Sequence, residues 1–410
     1  MTDGETANRG ANIVYCWELG GGYGHVARMD AISARAEFNG DHFTFALKDQ
    51  AKHTSIKRAC KANLCQAPLF VDADSHRQSP NFSDLLLRSG WQDPAHALQL
   101  VREWLRIFTE AQADLVIADH APSAAIAATL AGFPLLNAGN GFEIPLPANP
   151  MPPLRFWQKS NARQLASLDA ALNRTIAEIA RRTGNQARSD LTISDLFRPD
   201  NSLLITHPAL DHYGQRPPTW RYLPIETPIA TAATLAIPAV TQRPPIFCYL
   251  RGDDPKLLEL FLLLGNIFEV YAVLTGANAV FRDKVRAMGI HLAADLVNIN
   301  AVLPRVAAVI CHGGIGLVSQ ALNARKPIIV MPQHLEQSML AHRLAMRRLV
   351  KLASVAQPAA VASKVQQAID SFDIGVLDAT LQQSAGDPAI WTGTIKELTG
   401  SAAQARTAQR

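Results

Sequence analysis

The sequence predicts an α/β protein made of two Rossmann-like domains that face each other across a cleft. Short apolar, β-branched runs alternate with stretches of helical spacing, the pattern of parallel strands crossed by helices. That alternation begins twice, once at Asn12 and again at Ile246. Between the two, residues 226–245 carry Pro228, Pro238, Pro244 and Pro245 and almost no charge, which marks a linker. We therefore expect an N-terminal domain over 1–225, a linker over 226–245 and a C-terminal domain over 246–410. A chain of 410 residues suits this division, since one core rarely serves more than about 250–300 residues.

In order, Asn12–Trp17 reads as the first parallel strand. It runs into Gly20, Gly21, Gly22, Tyr23, Gly24 and His25, and helical spacing follows from Val26 to Ala36. The dinucleotide fingerprint needs a third glycine where His25 stands, and no acidic residue closes the second strand, Phe43–Leu47. A nicotinamide site is therefore disfavoured. Leu69–Val71 is read as a short strand and 72–94 as a polar surface excursion. A helix is expected over 95–113 and a buried strand over Leu115–Ala118, ending at Asp119 and His120. The uncharged stretch 121–142 could span a bilayer by length alone. Pro122, Gly132, Pro134, Asn137 and Asn140 make it instead a buried helix followed by a strand. Arg163–Arg182 is a helix and Leu203–Thr206 a strand.

In the second half, Ile246–Leu250 is a strand, Arg251–Pro255 a turn and Lys256–Leu264 a helix. Further strands are expected at 270–274, near 290–297, at 308–311 and at 327–331. The run Val309-Ile310-Cys311-His312-Gly313-Gly314-Ile315-Gly316 is a strand breaking into glycines and a helix start. Free backbone N–H groups at a positive helix end suit a phosphate, so this turn is expected to hold the diphosphate of an activated donor.

The composition limits the partners. Net charge is +4, with 48% hydrophobic and 18% charged residues, and Lys and Arg are scattered, so nucleic acid is not expected. The five cysteines form no CxxC pair, and Cys16, Cys248 and Cys311 lie in apolar runs, as buried thiols would. The first dozen residues are polar and lack the apolar core of a signal peptide. A cytoplasmic location is expected, with weak peripheral membrane contact left open. No cofactor is expected and no metal-ligand motif is present in the sequence.

These residues resemble the GT-B glycosyltransferases, in particular the UDP-glycosyltransferase-like and MurG-like groups. His312, Gly313, Gly314 and Gly316, with Lys326-Pro327, Pro332 and Glu336-Gln337, resemble the donor-site signature. Gly20 to His25 resembles the glycine loop ending in histidine of MurG-like enzymes, and Leu115–Asp119 the strand that ends in a catalytic aspartate. The resemblance implies an inverting, metal-independent transferase moving a sugar from a nucleoside diphosphate, UDP or dTDP, to an acceptor hydroxyl or similar nucleophile. Its acceptor could be a small molecule, lipid or peptide.

His25 is the candidate base and Asp119 its orienting partner, with His120 an alternative partner. Donor contacts are expected from Arg251, His312, Gly313, Gly314, Gly316, Gln320, Glu336 and Gln337. Gly22, Tyr23, Gly24, Asn140 and Phe142 are expected to meet the acceptor. Glu18 reads as a solvated strand end. The sequence also departs from the family: Gln320 stands where many relatives have glutamate, and no tryptophan lies near Ile299 to stack on a base. Arg251 occupies a position where relatives often carry a small residue, and it could reach the diphosphate directly. Two other readings of the same frame stay open, a nucleotide-sugar epimerase or hydrolase and a non-catalytic nucleotide-sugar-binding protein.

Overall fold

The computed structural model describes residues 10–21, 24–35, 38, 40–56, 62–70, 78–225, 235–252, 254–295, 297–382, 386–387 and 389–408. Gly22, Tyr23, Val71 and residues 226–234 of the expected linker lie outside the described residues.

The first sheet contains β1 (Asn12–Trp17), β2 (His42–Leu47), β3 (Asn63–Gln66), β4 (Leu115–Asp119), β5 (Leu135–Gly139), β6 (Ser202–Ile205) and β7 (Arg221–Leu223). Its order is β3-β2-β1-β4-β5-β6-β7 and every pairing is parallel. Alternate residues of the central strands feed two cores. Val14, Cys16, Val116 and Ala118 pack on one side with Trp91, Trp104 and Phe108, whereas Ile13, Tyr15, Trp17, Phe45 and Ile117 pack on the other. Burial on both faces explains why these strands read as unbroken apolar runs.

The second sheet contains β8 (Pro245–Arg251), β9 (Glu269–Thr275), β10 (His291–Leu292), β11 (Ala308–Cys311), β12 (Ile328–Val330) and β13 (Lys351–Leu352). Its order is β10-β9-β8-β11-β12-β13, again all parallel. Both sheets thus reverse direction beside their first strand, between β1 and β4 and between β8 and β11. Such a switch point leaves a crevice at the carboxyl ends of the strands, where ligands of open α/β sheets bind.

The chain groups into two compact units, one of residues 1–206, 215–226 and 385–410 and the other of 207–214 and 227–384. The chain passes between them after residues 206, 214, 226 and 384. Ala389–Ala408 belongs with the first unit, where Trp391 and Ile395 pack beside Ile13, Phe43 and Leu115. Its apolar face is visible in the sequence, but the sheet that the face covers is not.

Two local expectations are corrected. The third strand is Asn63–Gln66, an edge strand with mostly exposed side chains, and Leu69 and Phe70 lie outside any strand. Within the expected surface excursion, Phe82–Leu86 is helical, and Phe82, Leu86 and Trp91 are fully buried. Asn81 caps that helix by accepting the Asp84 N–H, so the polar residues there act as caps on an apolar segment. The stretch 121–142 is the expected helix and strand, Pro122–Ala131 followed by β5. Among the described residues, no helix is long and apolar enough to cross a membrane.

Candidate active site

The switch point of the first sheet collects a buried ionic cluster. Trp17, the last residue of β1, pairs in register with Asp119, the last of β4. The helix Gly24–Ser33 then places His25 and Arg28, three residues apart, over that strand end. His25 Nδ1 lies 2.7 Å from Asp119 Oδ1. Arg28 grips the same carboxylate with both arms of its fork, Nε to Oδ2 at 3.0 Å and Nη2 to Oδ1 at 2.5 Å. The Tyr15 hydroxyl donates to Oδ2 at 3.2 Å.

Asp119 is fully buried. Burial works to raise its pKa, but Arg28 and then His25 more than offset it and hold the carboxyl down at about 2. Asp119 and Arg28 Nη2 both face His25 Nδ1, the latter at 3.0 Å; with the ring proton on Nδ1, the charged Asp119 is its acceptor and Nε2 carries the lone pair. Nε2 makes no hydrogen bond among the described residues. Trp17 stacks on the ring with centroids 4.9 Å apart and planes 19° apart, which fixes its orientation. Asp119, rather than His120, is thus the partner of His25.

His120 has a different place. Its ring centroid is 6.2 Å from that of His25, it is buried, and its backbone is left-handed at φ 48°. Burial pushes its pKa down to about 4, so the ring is neutral near pH 7. Its carbonyl accepts the Leu19 N–H at 2.9 Å and so holds the end of the glycine loop. Gly20 must be glycine here. It has φ +76°, and a Cβ would lie 2.9 Å from His120 Nδ1 and 3.0 Å from His25 Nε2. Lys48 secures the loop from the other side by donating to the Gly20 carbonyl at 2.8 Å.

Glu143, in the turn after β5, completes the cluster. Its Oε2 is 2.8 Å from Arg28 Nη2. Both carboxylate oxygens also accept from Asn140, Oε2 from the backbone N–H at 2.6 Å and Oε1 from Nδ2 at 3.2 Å. Burial acts to raise the Glu143 pKa, and the Arg28 charge brings it below the ordinary value. His25, His120 and Glu143 bring ligand-type atoms within 4.8 Å of one another, as a metal site would. Arg28 Nη2, at 2.8 Å from Glu143 and 3.0 Å from His25 Nδ1, already supplies the positive charge among them.

Among the expected acceptor residues, Gly24 starts the His25 helix and is exposed. Asn140 is buried, and its Oδ1 accepts the N–H groups of Phe142 and Glu143. Its side chain shapes the turn that presents Glu143. Phe142 is buried edge-on to His120, with centroids 5.7 Å apart. Glu18 is the clearest correction to the sequence reading. It is only 3% exposed, and it accepts from the Ser123 N–H at 2.8 Å and the Ser123 hydroxyl at 2.5 Å. Burial raises its pKa to about 7, with the Ser123 bonds opposing. The free helix N-terminus at Ser123 draws the carboxylate inward, a long-range pairing that sequence spacing does not encode.

At the switch point of the second sheet, β11 ends at Cys311 and the helix Ile315–Asn323 begins after His312-Gly313-Gly314. Gly313 has φ +91°, and a Cβ there would lie 2.7 Å from Val330 Cγ1. No side chain caps this helix start, and Gly314 and Gly316 face open space. The turn therefore leaves the first N–H groups of the helix unshielded.

His312 does not offer its ring as a free phosphate donor. Nδ1 lies 2.9 Å from the Met331 carbonyl and must donate, while Nε2 accepts the Arg251 N–H at 2.7 Å. Burial foremost, then the Arg251 charge, lowers its pKa, with the Met331 bond opposing. The neutral ring is a strut joining the carboxyl ends of β8, β11 and β12. Arg251 stands exposed at the end of β8, where its carbonyl accepts from Gln333 Nε2 at 3.4 Å. Gln337 Oε1 accepts the Gln333 N–H at 2.9 Å and so fixes the loop after β12. Gln320 and Glu336 are half-buried on the helices Ile315–Asn323 and Leu335–Met346.

Solved structures share this fold over nearly the whole chain. The calicheamicin glycosyltransferase CalG4 matches with a TM-score of 0.66 at 15% identity, over 96% of this chain and 99% of that one. Glycosyltransferase VinC, solved with dTDP, matches with a TM-score of 0.63 at 15% identity, over 96% and 99%. The spinosyn rhamnosyltransferase SpnG matches at 0.55 and 16% identity, over 97% and 99%. The fold is GT-B. By sequence, this GT-B chain is 25% identical over 258 residues to the PGL/p-HBAD biosynthesis rhamnosyltransferases of Mycobacterium bovis (strain BCG / Pasteur 1173P2) and Mycobacterium tuberculosis (strain ATCC 25177 / H37Ra). The match covers 59% of the chain, which spans 57% of the length of these relatives. No protein-family model matches the chain.

Proposed function

We propose that this protein is an inverting, metal-independent glycosyltransferase that moves a sugar from a nucleoside diphosphate to an acceptor hydroxyl. The observation that carries the reading is the His25–Asp119 pair at the first switch point, 2.7 Å apart; with the ring proton on Nδ1, Nε2 is the base. His25 takes the acceptor proton as the hydroxyl attacks the anomeric carbon, and Asp119 stabilises the imidazolium formed. A single displacement by one base inverts that carbon. Departure of the diphosphate calls for stabilisation of negative charge, and the N–H groups after Gly314, with the Arg251 guanidinium, supply it. His312 supports that site through the strand ends. The assignment to a MurG-like subgroup rests on the glycine loop that ends in His25.

A deoxysugar donor carried by dTDP is the first choice. Among the similar proteins are rhamnosyltransferases, and one structural neighbour was solved with dTDP. The test is a thermal-shift and calorimetry panel of dTDP-, UDP- and GDP-sugars, followed by turnover with and without acceptor alcohols. We expect dTDP-rhamnose or a close relative to raise the melting temperature. Sugar should then be released at catalytic speed only when an acceptor is present. Rapid release or epimerisation without acceptor contradicts transfer, as does donor binding with no turnover on any acceptor while His25→Ala binds equally well.

A further inference from the structure

His120 stands at the first switch point without a side-chain bond of its own. It is 6% exposed, neither ring nitrogen makes a hydrogen bond among the described residues, and Nε2 is buried without a partner. An unmade bond at a buried imidazole is costly and calls for an explanation. The backbone adds to the cost, since φ 48° is left-handed in a residue that carries a side chain. The ring is nonetheless held in place. Phe142 packs against it at 5.7 Å between centroids, and the Leu19 N–H pins its carbonyl at 2.9 Å. Nδ1 borders the space kept open by the missing side chain of Gly20, and so does His25 Nε2. The point where a Cβ of residue 20 would stand is 2.9 Å from His120 Nδ1 and 3.0 Å from His25 Nε2.

We propose that His120 is a second catalytic residue, whose Nδ1–H donates to the acceptor oxygen while His25 Nε2 takes that oxygen's proton. The two rings together then select oxygen over nitrogen nucleophiles. The inference rests on the transferase reading, with His25 as its base. The His120 ring, neutral near pH 7, carries one hydrogen. On Nε2 it would be a donor buried with no acceptor, whereas on Nδ1 it faces the space beside Gly20, where an oxygen can receive it. Two nitrogens that border one space can both lie at hydrogen-bond distance, about 2.6–3.2 Å, from one oxygen. A hydroxyl offers one hydrogen and two lone pairs. The hydrogen goes to His25, one pair receives the His120 hydrogen, and the second pair attacks the anomeric carbon. As the new C–O bond forms, the O–H bond breaks toward His25 Nε2. The bond from the anomeric carbon to the diphosphate breaks too, and the diphosphate leaves with that electron pair. His120 keeps its proton throughout. An amine nitrogen has one lone pair, which must attack, so it cannot receive the His120 hydrogen and two N–H donors face each other.

The test has two arms. Nitrogen-detected spectroscopy of the full chain labelled with 15N-histidine, the His120 signals being assigned by their loss in His120→Gly, should show His120 protonated at Nδ1. Protonation at Nε2 overturns the proposal. Turnover is then measured with the best donor of the panel on a phenol and on the aniline of the same carbon skeleton. Glycine adopts the left-handed backbone freely, so His120→Gly keeps the strand end and removes the ring. Wild type should prefer the phenol, and His120→Gly should narrow that preference about tenfold or more by slowing transfer to the phenol. His120→Asn can place an amide N–H near the Nδ1 position and tolerates the same backbone, so it should restore most of the phenol rate. An unchanged preference in folded His120→Gly overturns the proposal.

The two readings fail in different ways. Full turnover in His25→Ala removes the base and the mechanism built on it, whichever nitrogen of His120 is protonated. A large loss in His25→Ala with an unchanged preference in His120→Gly keeps the base and removes only the role of His120.

Discussion

Each sheet places a histidine beside a glycine turn at its switch point, yet the two rings are used in opposite ways. His25 spends one nitrogen on a buried carboxylate, and its other nitrogen makes no hydrogen bond among the described residues. His312 spends both on backbone groups, a carbonyl on one side and an N–H on the other. A ring with one free nitrogen beside a fixed negative charge can accept a proton, whereas a ring bonded at both ends holds strands together. The same topological position thus gives a chemical group in one unit and a structural tie in the other. What decides is the neighbouring strand end, Asp119 on β4 in the first unit and the backbone of Arg251 on β8 in the second.

Perturbing Asp119 strains the comparison most. Asp119→Asn removes the charge and leaves Arg28 paired to Glu143 alone, and its amide can face Nδ1 as a donor. We expect kcat to fall at least about 10²-fold while donor affinity stays near normal. A modest loss in steady-state assays would mean that His25 needs no carboxylate. Next in size is Gly20→Ala, which drives a methyl toward His25 Nε2 and His120 Nδ1 in a left-handed backbone. Turnover should drop about tenfold or more, with a stability loss of about 1–3 kcal/mol. Gly21→Ala, where a Cβ meets nothing within 4 Å, is the matched control and should behave as wild type.

The second unit should respond in stability before chemistry. His312→Ala leaves the Met331 carbonyl and the Arg251 N–H without their partner, and chemical denaturation should show a loss of about 1–3 kcal/mol. At saturating donor, its turnover should remain within about tenfold of wild type. A larger loss at normal stability would make the ring a chemical group after all. The last test concerns Glu18, where stability changes with pH and no effect on turnover is expected. Its folded pKa of about 7 lies above the unfolded value, so its contribution to stability is full below about pH 4.3 and declines as pH rises through 7. The decline is of order 3 kcal/mol at its upper limit. Glu18→Gln should flatten the stability profile between about pH 5 and 8.

The sequence made the frame legible because strands buried on both faces leave unbroken apolar runs, as in Asn12–Trp17 and Leu115–Asp119. It failed at β3, whose exposed edge needs no such run, and at the final helix, which carries an apolar face but no record of its destination. For the candidate site, the turn glycines and both histidines could be named from motif position alone. Arg28 carries no signal of its own in the sequence, because an arginine near the start of a helix usually faces solvent. Glu143 closes an irregular run after a strand, and nothing in that run signals an ion pair with an arginine more than a hundred residues away. Hydrogen-bond direction at a histidine depends on groups from distant strand ends, so the opposite uses of His25 and His312 had no signal in the chain. The local pattern around Glu18 suggested solvent, and a helix N-terminus more than a hundred residues away prevails.

The most direct measurement is turnover and donor affinity of His25→Ala, made on the same preparation with the best donor from the panel. The account predicts a fall in kcat of about 10²-fold or more, with calorimetric donor affinity unchanged. Near-normal turnover in a folded His25→Ala protein would contradict it.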